Sequence, residues 1–353
     1  MLTPRQIISK GQLIRKVREL PSNGEILVKI GDLVSPNSIV AKTTIEGELI
    51  LVRLPEESGN IKVNIGDQVI RGQLIYERTG LFGLFKTTVL SPESGIVEFI
   101  TEQAVGIRLP PVELGLSAYI KGKVVESDLK QKVVIEGTAA VIQGIFGVGG
   151  EKTGRLFPIK NVNKIHINDI PQHCTGLVLA GGTLPSGEIL LEAQLRGAVG
   201  FITGGVEDSA IEEFLGKPVG IAMTGKEDIS MTLVVTEGFG ELTMHPLIQE
   251  ILSKEADCSI NGTTQVRAGA IRPEVIIFTD KIEDSVSNEE FEIGKNARII
   301  REPNFGVIGE IVELPQTPEV LESKIKARVL RIKTAKGAVL TVPRANVELV
   351  RVE

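Results

Sequence analysis

The order of apolar and polar residues divides this chain into three textures. Over residues 8–143, aliphatic side chains alternate with polar ones in short runs broken by glycine, the two-residue period of strands with one buried face. Within that texture, "VKIGDLVSPNSIV" (28–40) and "VNIGDQVIRGQLI" (63–75) superpose with a constant offset of 35 residues. Val28 falls on Val63, Ile30-Gly31-Asp32 on Ile65-Gly66-Asp67, Val34 on Val69 and Ile39 on Leu74. Each copy reads strand, Gly-Asp turn, strand. Two copies are too few for a solenoid, so the pattern predicts a closed, pseudo-symmetric β structure. Residues 117–143 continue the alternation and are expected to extend or cap it.

From residue 168 onward, strand and helix patterns alternate, the mark of an α/β unit. Strands are predicted at 175–182, 198–205, 218–225 and 230–238. Helices are predicted at 186–197, ended by Gly197; after a capping box of Ser209 and Glu212, ended by Gly216; and from Pro246, capped by His245. The first three strands finish at Gly181-Gly182, Gly204-Gly205 and Thr224-Gly225. If they run parallel, right-handed crossovers bring all three ends to one edge, where such sheets bind ligands and small residues admit a close approach. These six residues form the candidate ligand site. The link to the fourth strand is too short for a helical crossover, so that strand is expected to run antiparallel, with Glu237 at the opposite edge.

The third texture opens with "FTDKIEDSVSNEEFE" (278–292), whose acids outweigh one lysine and predict a solvated linker. The expected organisation is therefore multidomain and β-rich with an α/β middle: a β module over 1–165, an α/β domain over 166–278, a linker over 279–293 and a small barrel over 294–353.

Composition sharpens this picture. No Trp, 38 Gly and 17 Pro in 353 residues favour aliphatic cores, short strands and many turns. No run of about 18 uninterrupted apolar residues exists, so no membrane span is expected; charges break the apolar runs of "MLTPRQIISKGQLIRKVREL", so no signal-peptide core is expected there. Cys174 and Cys258, far apart, suit a reduced cytoplasm. The net charge is −6, yet eleven basic and seven acidic residues lie from Gly294 onward. That asymmetry invites an anionic partner at the C-terminus. Lys324, Lys326 and Arg328 alternate onto one strand face; Arg331 and Lys333 continue in the other phase, which a β-bulge would reconcile. With Arg298 and Arg301 they make a candidate surface for RNA, a ribonucleoprotein or an acidic protein. No aromatic side chain interleaves the stripe to stack on bases.

Candidate chemistry is sparse. "GIFGVGGEKTG" (144–154) resembles a phosphate-binding loop, but anchoring that pattern on Lys152 and Thr153 puts Phe146 and Glu151 where glycines are required. A glycine-rich turn at the end of a β segment is expected instead. His166, His173 and Cys174 match no zinc spacing, Asp32 and Asp67 read as turn carboxylates, and no catalytic triad suggests itself, so no cofactor or metal is expected.

Two stretches resemble known families. "VNIGDQVIRGQLIYE" (63–77) and "LSPESGIVEFI" (90–100) resemble the biotinyl/lipoyl-attachment family and its barrel-sandwich hybrid fold. In that family a lysine at the hairpin tip carries the cofactor. Gly80 stands at that place here, Glu77 matches the acid before it, and Lys86 lies beyond an enlarged loop, so the resemblance implies the fold without the swinging arm. "GKNARIIREPNFGVIGEIVEL" (294–314) resembles the KOW motif of SH3-like barrels found in NusG and ribosomal proteins. Gly294, Arg298, Ile299 and Ile300 match its first strand, and Gly306, Gly309 and Ile311 its glycine core. Glu302 and Phe305 depart from the pattern in the partner-facing loop. Together these readings point to a non-catalytic cytoplasmic adaptor that docks through its last domain. The competing expectation is an enzyme or ligand-sensing subunit with a small molecule at the glycine-lined edge.

Overall fold

The alternating first texture folds into two structures, one inserted in the other. The computed structural model describes residues 6–350 except 57–58, 80–85, 129, 161–162, 218–228, 265–270, 284–290, 301–303, 305 and 322–325. The inner unit spans 49–108. One of its sheets orders Leu49–Arg53, Ala104–Arg108, Gly95–Ile100 and Gln68–Val69; the other orders Asn60–Ile61, Leu74–Thr79 and Lys86–Leu90. The outer unit repeats this arrangement strand for strand. Ile8–Glu19, Lys132–Gln143, Gly122–Ser127 and Leu33–Val34 form its first sheet, and Glu25–Ile26, Ile39–Ile45 and Val112–Ser117 its second. The whole inner unit thus sits in the connection between Ile39–Ile45 and Val112–Ser117.

The Gly-Asp turns show why the repeat is so exact in sequence. Gly31 and Gly66 have φ of 102° and 91°, where a side chain is disfavoured. Their N–H groups donate to the carbonyls of Val124 (2.8 Å) and Val97 (2.7 Å), and the N–H groups of those valines donate back to Asp32 and Asp67, both at 2.9 Å. The Asp32 carboxylate accepts from the Lys29 N–H (2.8 Å) and the Asp67 carboxylate from the Asn64 N–H (2.7 Å), as turn chemistry predicts. The two units keep separate cores. Val52, Val63, Val69, Ile75, Val97, Val105 and Ile107 fill the inner one. Val34, Val40, Ile120, Val124, Val133 and Ile135 fill the outer one, joined there by Ile276 from beyond the module.

Strand pairing also runs across residue 165, where a boundary is expected. Strand Lys132–Gln143 is long enough to serve two structures along one edge: Val133–Glu136 pair with Gly122–Ser127, and Ala139–Gln143 pair with Glu274–Phe278. It anchors an 11-stranded sheet that continues through Asp257–Asn261, Glu151–Pro158, Leu177–Ala180, Gly200–Val206 and Thr232–Phe239. At its far end stands Phe146–Val148, only two residues beyond Lys132–Gln143 in the chain. One run of chain, 132–148, therefore contributes two strands to the sheet, one at its far edge and one seven places along. Apolar side chains on alternate positions demand cover on both faces. Helices α1 (Gly187–Leu195) and α2 (Asp208–Leu215) cover one, over Leu179, Phe201, Leu233 and Val235. Helix α3 (Pro246–Leu252) fills the other, with Met244, Ile248 and Leu252 against Leu156, Val178, Ile202 and Val234.

The glycine-rich stretch 144–154 is a strand, a turn at Gly149 (φ 90°) and a second strand, with no helix after it. Its polar side chains fasten the β module to the sheet. Glu151 forms a two-pronged ion pair with Arg18 (2.7 Å each), and Thr153 bonds Asn37 (2.6 Å). Beside them Tyr119 is buried with a φ of 66°, its ring 5.3 Å from the Arg18 guanidinium.

Helix prediction held for α1, which Ser186 caps and Gly197 (φ 93°) follows, and for α3, whose start His245 caps. At α2 the residue before the helix is Glu207, with no side-chain cap, and Ser209 lies inside it; Gly216 (φ 66°) ends it as expected. The final region forms a five-stranded sheet ordered Val339–Pro343, Val329–Thr334, Ile308–Glu313, Asn296–Ile299 and Val347–Val350. Ala297, Ile299, Ile311, Leu330, Ile332, Val342 and Val347 form its core. The predicted strand 218–225 and residues 284–290 of the predicted linker lie outside the described residues.

Candidate ligand site

Four strands of the curled sheet are parallel neighbours: Glu151–Pro158, Leu177–Ala180, Gly200–Val206 and Thr232–Phe239. The last corrects the antiparallel expectation. Thr232–Phe239 pairs directly with Gly200–Val206, and α2 lies in the connection between them. Glu237 therefore stands at the same carboxyl edge as Gly181, Gly182, Gly204 and Gly205. Thr224 and Gly225 lie outside the described residues.

The four glycines are needed for a reason that sequence alone does not show. A Cβ on Gly204 would strike the carbonyl of Leu242, and one on Gly205 the carbonyl of Gly240. A Cβ on Gly181 would meet the Ile159 carbonyl, and one on Gly182 the Ile165 side chain. Ile159, Asn163 and Ile165 of the chain itself, and the segment 240–244, thus lie across the strand ends. Gly204 and Gly205 are roofed by protein. Gly181 and Gly182 instead face a cavity of about 490 Å³. Its apolar walls are Pro158, Ile159, Ala180, Met244, Pro246 and Leu252, and its polar groups are Lys160, Gln249, Glu250 and Ser253. Glu250 is engaged by Lys10 at 2.5 Å, and the Gln249 amide N–H donates to the Met244 carbonyl at 2.7 Å. Lys160 is exposed and supplies the cation of the lining. This volume suits a small molecule.

Glu237 is buried and takes part in an ion-paired chain (2.7–3.2 Å) that joins two regions. One of its oxygens accepts from the N–H of His245 (3.0 Å), the residue that caps α3; the other accepts from Arg298 (2.7 Å) of the final sheet. Arg298 also bonds Glu348, its cross-strand neighbour, at 3.2 Å, and Glu348 pairs with Arg272 at 2.7 Å. Arg298 and Glu348 are fully buried. Two cations and two anions so placed balance in charge, which is what makes their removal from water tolerable.

This burial corrects the reading of Arg298 as a surface contact. It is an internal tie between sheets. Arg331 is likewise engaged, by Glu313 (2.6 Å) and Glu319 (3.0 Å). Lys326, Arg328 and Lys333 remain exposed, while Arg301 and Lys324 lie outside the described residues. The phase change in the stripe arises from a break at Arg328 between two strands with different partners; the register shift falls on the facing strand, between Ile311 and Glu313. Lys333 faces Glu310 across the sheet. Much of the basic excess is thus spent on intramolecular acids.

Neither cysteine is poised for chemistry. Cys258 is pushed up to about 12, mainly by burial and then by Asp257; Cys174 is raised by burial, and its thiol donates to the Pro171 carbonyl. Among the described residues no three His, Cys, Asp or Glu side chains converge as a metal site, and no helix is long and apolar enough to cross a membrane. Lys86 pairs with Glu77 at 2.6 Å across its hairpin. The chain matches no model of a protein family, and a comparison with curated proteins returns no match.

Proposed function

We propose that this chain is a ligand-binding assembly protein: the curled α/β sheet holds a small molecule, and the two nested β units and the final barrel are attachment modules around it. The observation that carries the reading is the cavity of about 490 Å³ against Gly181 and Gly182, at the carboxyl ends of neighbouring parallel strands. Its apolar walls and Lys160, which has no acidic partner among the described residues, suit an apolar molecule bearing one anionic group. The resemblance of 63–100 to barrel-sandwich hybrids, without their attachment lysine, and of 294–314 to KOW barrels supports a role in docking for the flanking units. Native mass spectrometry of the purified full-length chain tests this. A bound species released by mild denaturation is the expected result. A chain free of adducts that no apolar carboxylate stabilises thermally would refute it.

A second reading keeps the final barrel as the contact for an anionic partner such as RNA, on the exposed Lys326, Arg328 and Lys333. It predicts that the full chain binds RNA with a salt-dependent affinity that K326Q/R328Q weakens. An affinity unchanged by that double substitution would remove it.

A further inference from the structure

We propose that the cavity and the final barrel are coupled through Glu237, so that a ligand beneath α3 alters how firmly the barrel is held. The inference rests on the ligand-binding reading for its biological use, but the coupling itself is a property of the fold. One carboxylate serves two masters. Its first oxygen fixes the N–H of His245 at the start of α3, and its second holds Arg298 of the barrel. His245 in turn accepts the Leu247 N–H through Nδ1, so Glu237 sets the position of the first turn. That turn and the residues around it supply Met244, Pro246, Gln249 and Leu252 to the cavity. On the other side, Arg298 and Glu348 are opposite residues on adjacent strands, on the face away from the core that Ala297, Ile299 and Val347 line, so the tie grips the final sheet at its docked face.

The energetics make this a tie with two states rather than a passive contact. Buried ion pairs are costly to break from one side, because the remaining partner keeps a buried charge with nothing to neutralise it. If the barrel leaves, Glu237 loses Arg298, and the carboxylate must draw in water or other donors, which disturbs its bond to His245. If α3 shifts to admit a ligand, Glu237 is displaced with respect to Arg298. The Arg298 Nε, the Arg272 Nη1 and the His245 Nε2 are all buried without a hydrogen-bond partner among the described residues, so the network holds donors in reserve that a rearranged state could satisfy. A further contact lies beside it: Gly306 of the barrel approaches Phe239, whose ring meets that of Phe146 at a tilt of 51° with centroids 5.2 Å apart. Coupling of this kind is reciprocal in free energy.

The test uses the full chain, hydrogen exchange of the α3 and barrel amides, and 1-anilinonaphthalene-8-sulfonate as the probe, because it joins apolar rings to one anionic group. R298Q is expected to raise exchange of the α3 amides from Gln249 to Leu252 about tenfold or more, and to change the probe's Kd at least threefold. E237Q keeps an oxygen for the His245 N–H and is expected to shift both readouts in the same direction by less; it decides the matter if R298Q does not fold. S253W, at the cavity mouth, should abolish probe binding. If α3 exchange stays within twofold in a folded R298Q, or in E237Q where R298Q fails to fold, the coupling is overturned. If the probe binds S253W as well as the parent, the cavity reading fails instead, while the exchange comparison still judges the coupling.

Discussion

The inner and outer β units have the same seven strands in the same order, yet only one stands by itself. Inner strand Ala104–Arg108 ends with its unit. Its outer counterpart, Lys132–Gln143, runs on and lends its second half to the curled sheet. The inner core is closed by inner residues, whereas Ile276 reaches into the outer core from more than a hundred residues away. The same topology therefore yields an appendage in one place and a structural joint in the other. What differs is the length of one strand and the company its edge keeps.

Core truncation is the strongest way to break that comparison. Ile135→Ala and Ile75→Ala remove the same atoms from fully buried sites, each at a cost of about 2–5 kcal/mol. In calorimetry, Ile135→Ala is expected to lower the main transition of the whole sheet. Ile75→Ala should lower a separate transition and leave the main one in place; a single transition displaced equally by both would show that the inner unit is not autonomous. Smaller effects should be symmetric. Gly31→Ala and Gly66→Ala each force a side chain into the left-handed region and are expected to cost about 1–2 kcal/mol in denaturant melts. Asp32→Ala and Asp67→Ala each remove one turn acceptor, worth about 1 kcal/mol, and a clear inequality would mean that the turns are loaded differently.

The smallest effect concerns the inner unit alone. Hydrogen bonding from Lys86, followed by its charge, holds the Glu77 carboxyl below the usual carboxylate range. A depressed folded pKa stabilises above the unfolded pKa and is lost as pH falls through the folded one. In NMR titrations, K86Q should return Glu77 toward the ordinary range without disturbing the outer unit. An unmoved Glu77 would show that Lys86 is not its principal partner.

How much of this was legible follows from where each constraint is written. The repeat was readable because a positive-φ glycine and a turn carboxylate admit few substitutes, so both copies keep Ile-Gly-Asp. The nesting was not. The second halves of the units share little beyond Gly95-x-Val97 and Gly122-x-Val124, whose glycines approach the carbonyls of Arg108 and Glu136. Strand direction at 232–239 does not follow from the sequence, because a strand read at 218–225 leaves only a short link before it; the edge on which Glu237 stands depends on that direction. The glycine pairs are legible in the sequence, but not that all four also meet backbone carbonyls of the chain itself. Arg298 read as surface because it lies in a basic tail. Burial of three consecutive residues, Ala297 to Ile299, reveals a strand covered on both faces, and only the docking of two sheets creates that cover.

The insertion also sets an order of events at the ribosome. Residues 49–108 emerge as a complete set of strands and can close their core while the rest is still being made. The first strand of the chain must wait, because Ile8 finds its partner only in Ile142. A nascent chain whose first 120 residues have left the ribosome should therefore carry one finished unit, framed by two loose ends that have not yet met.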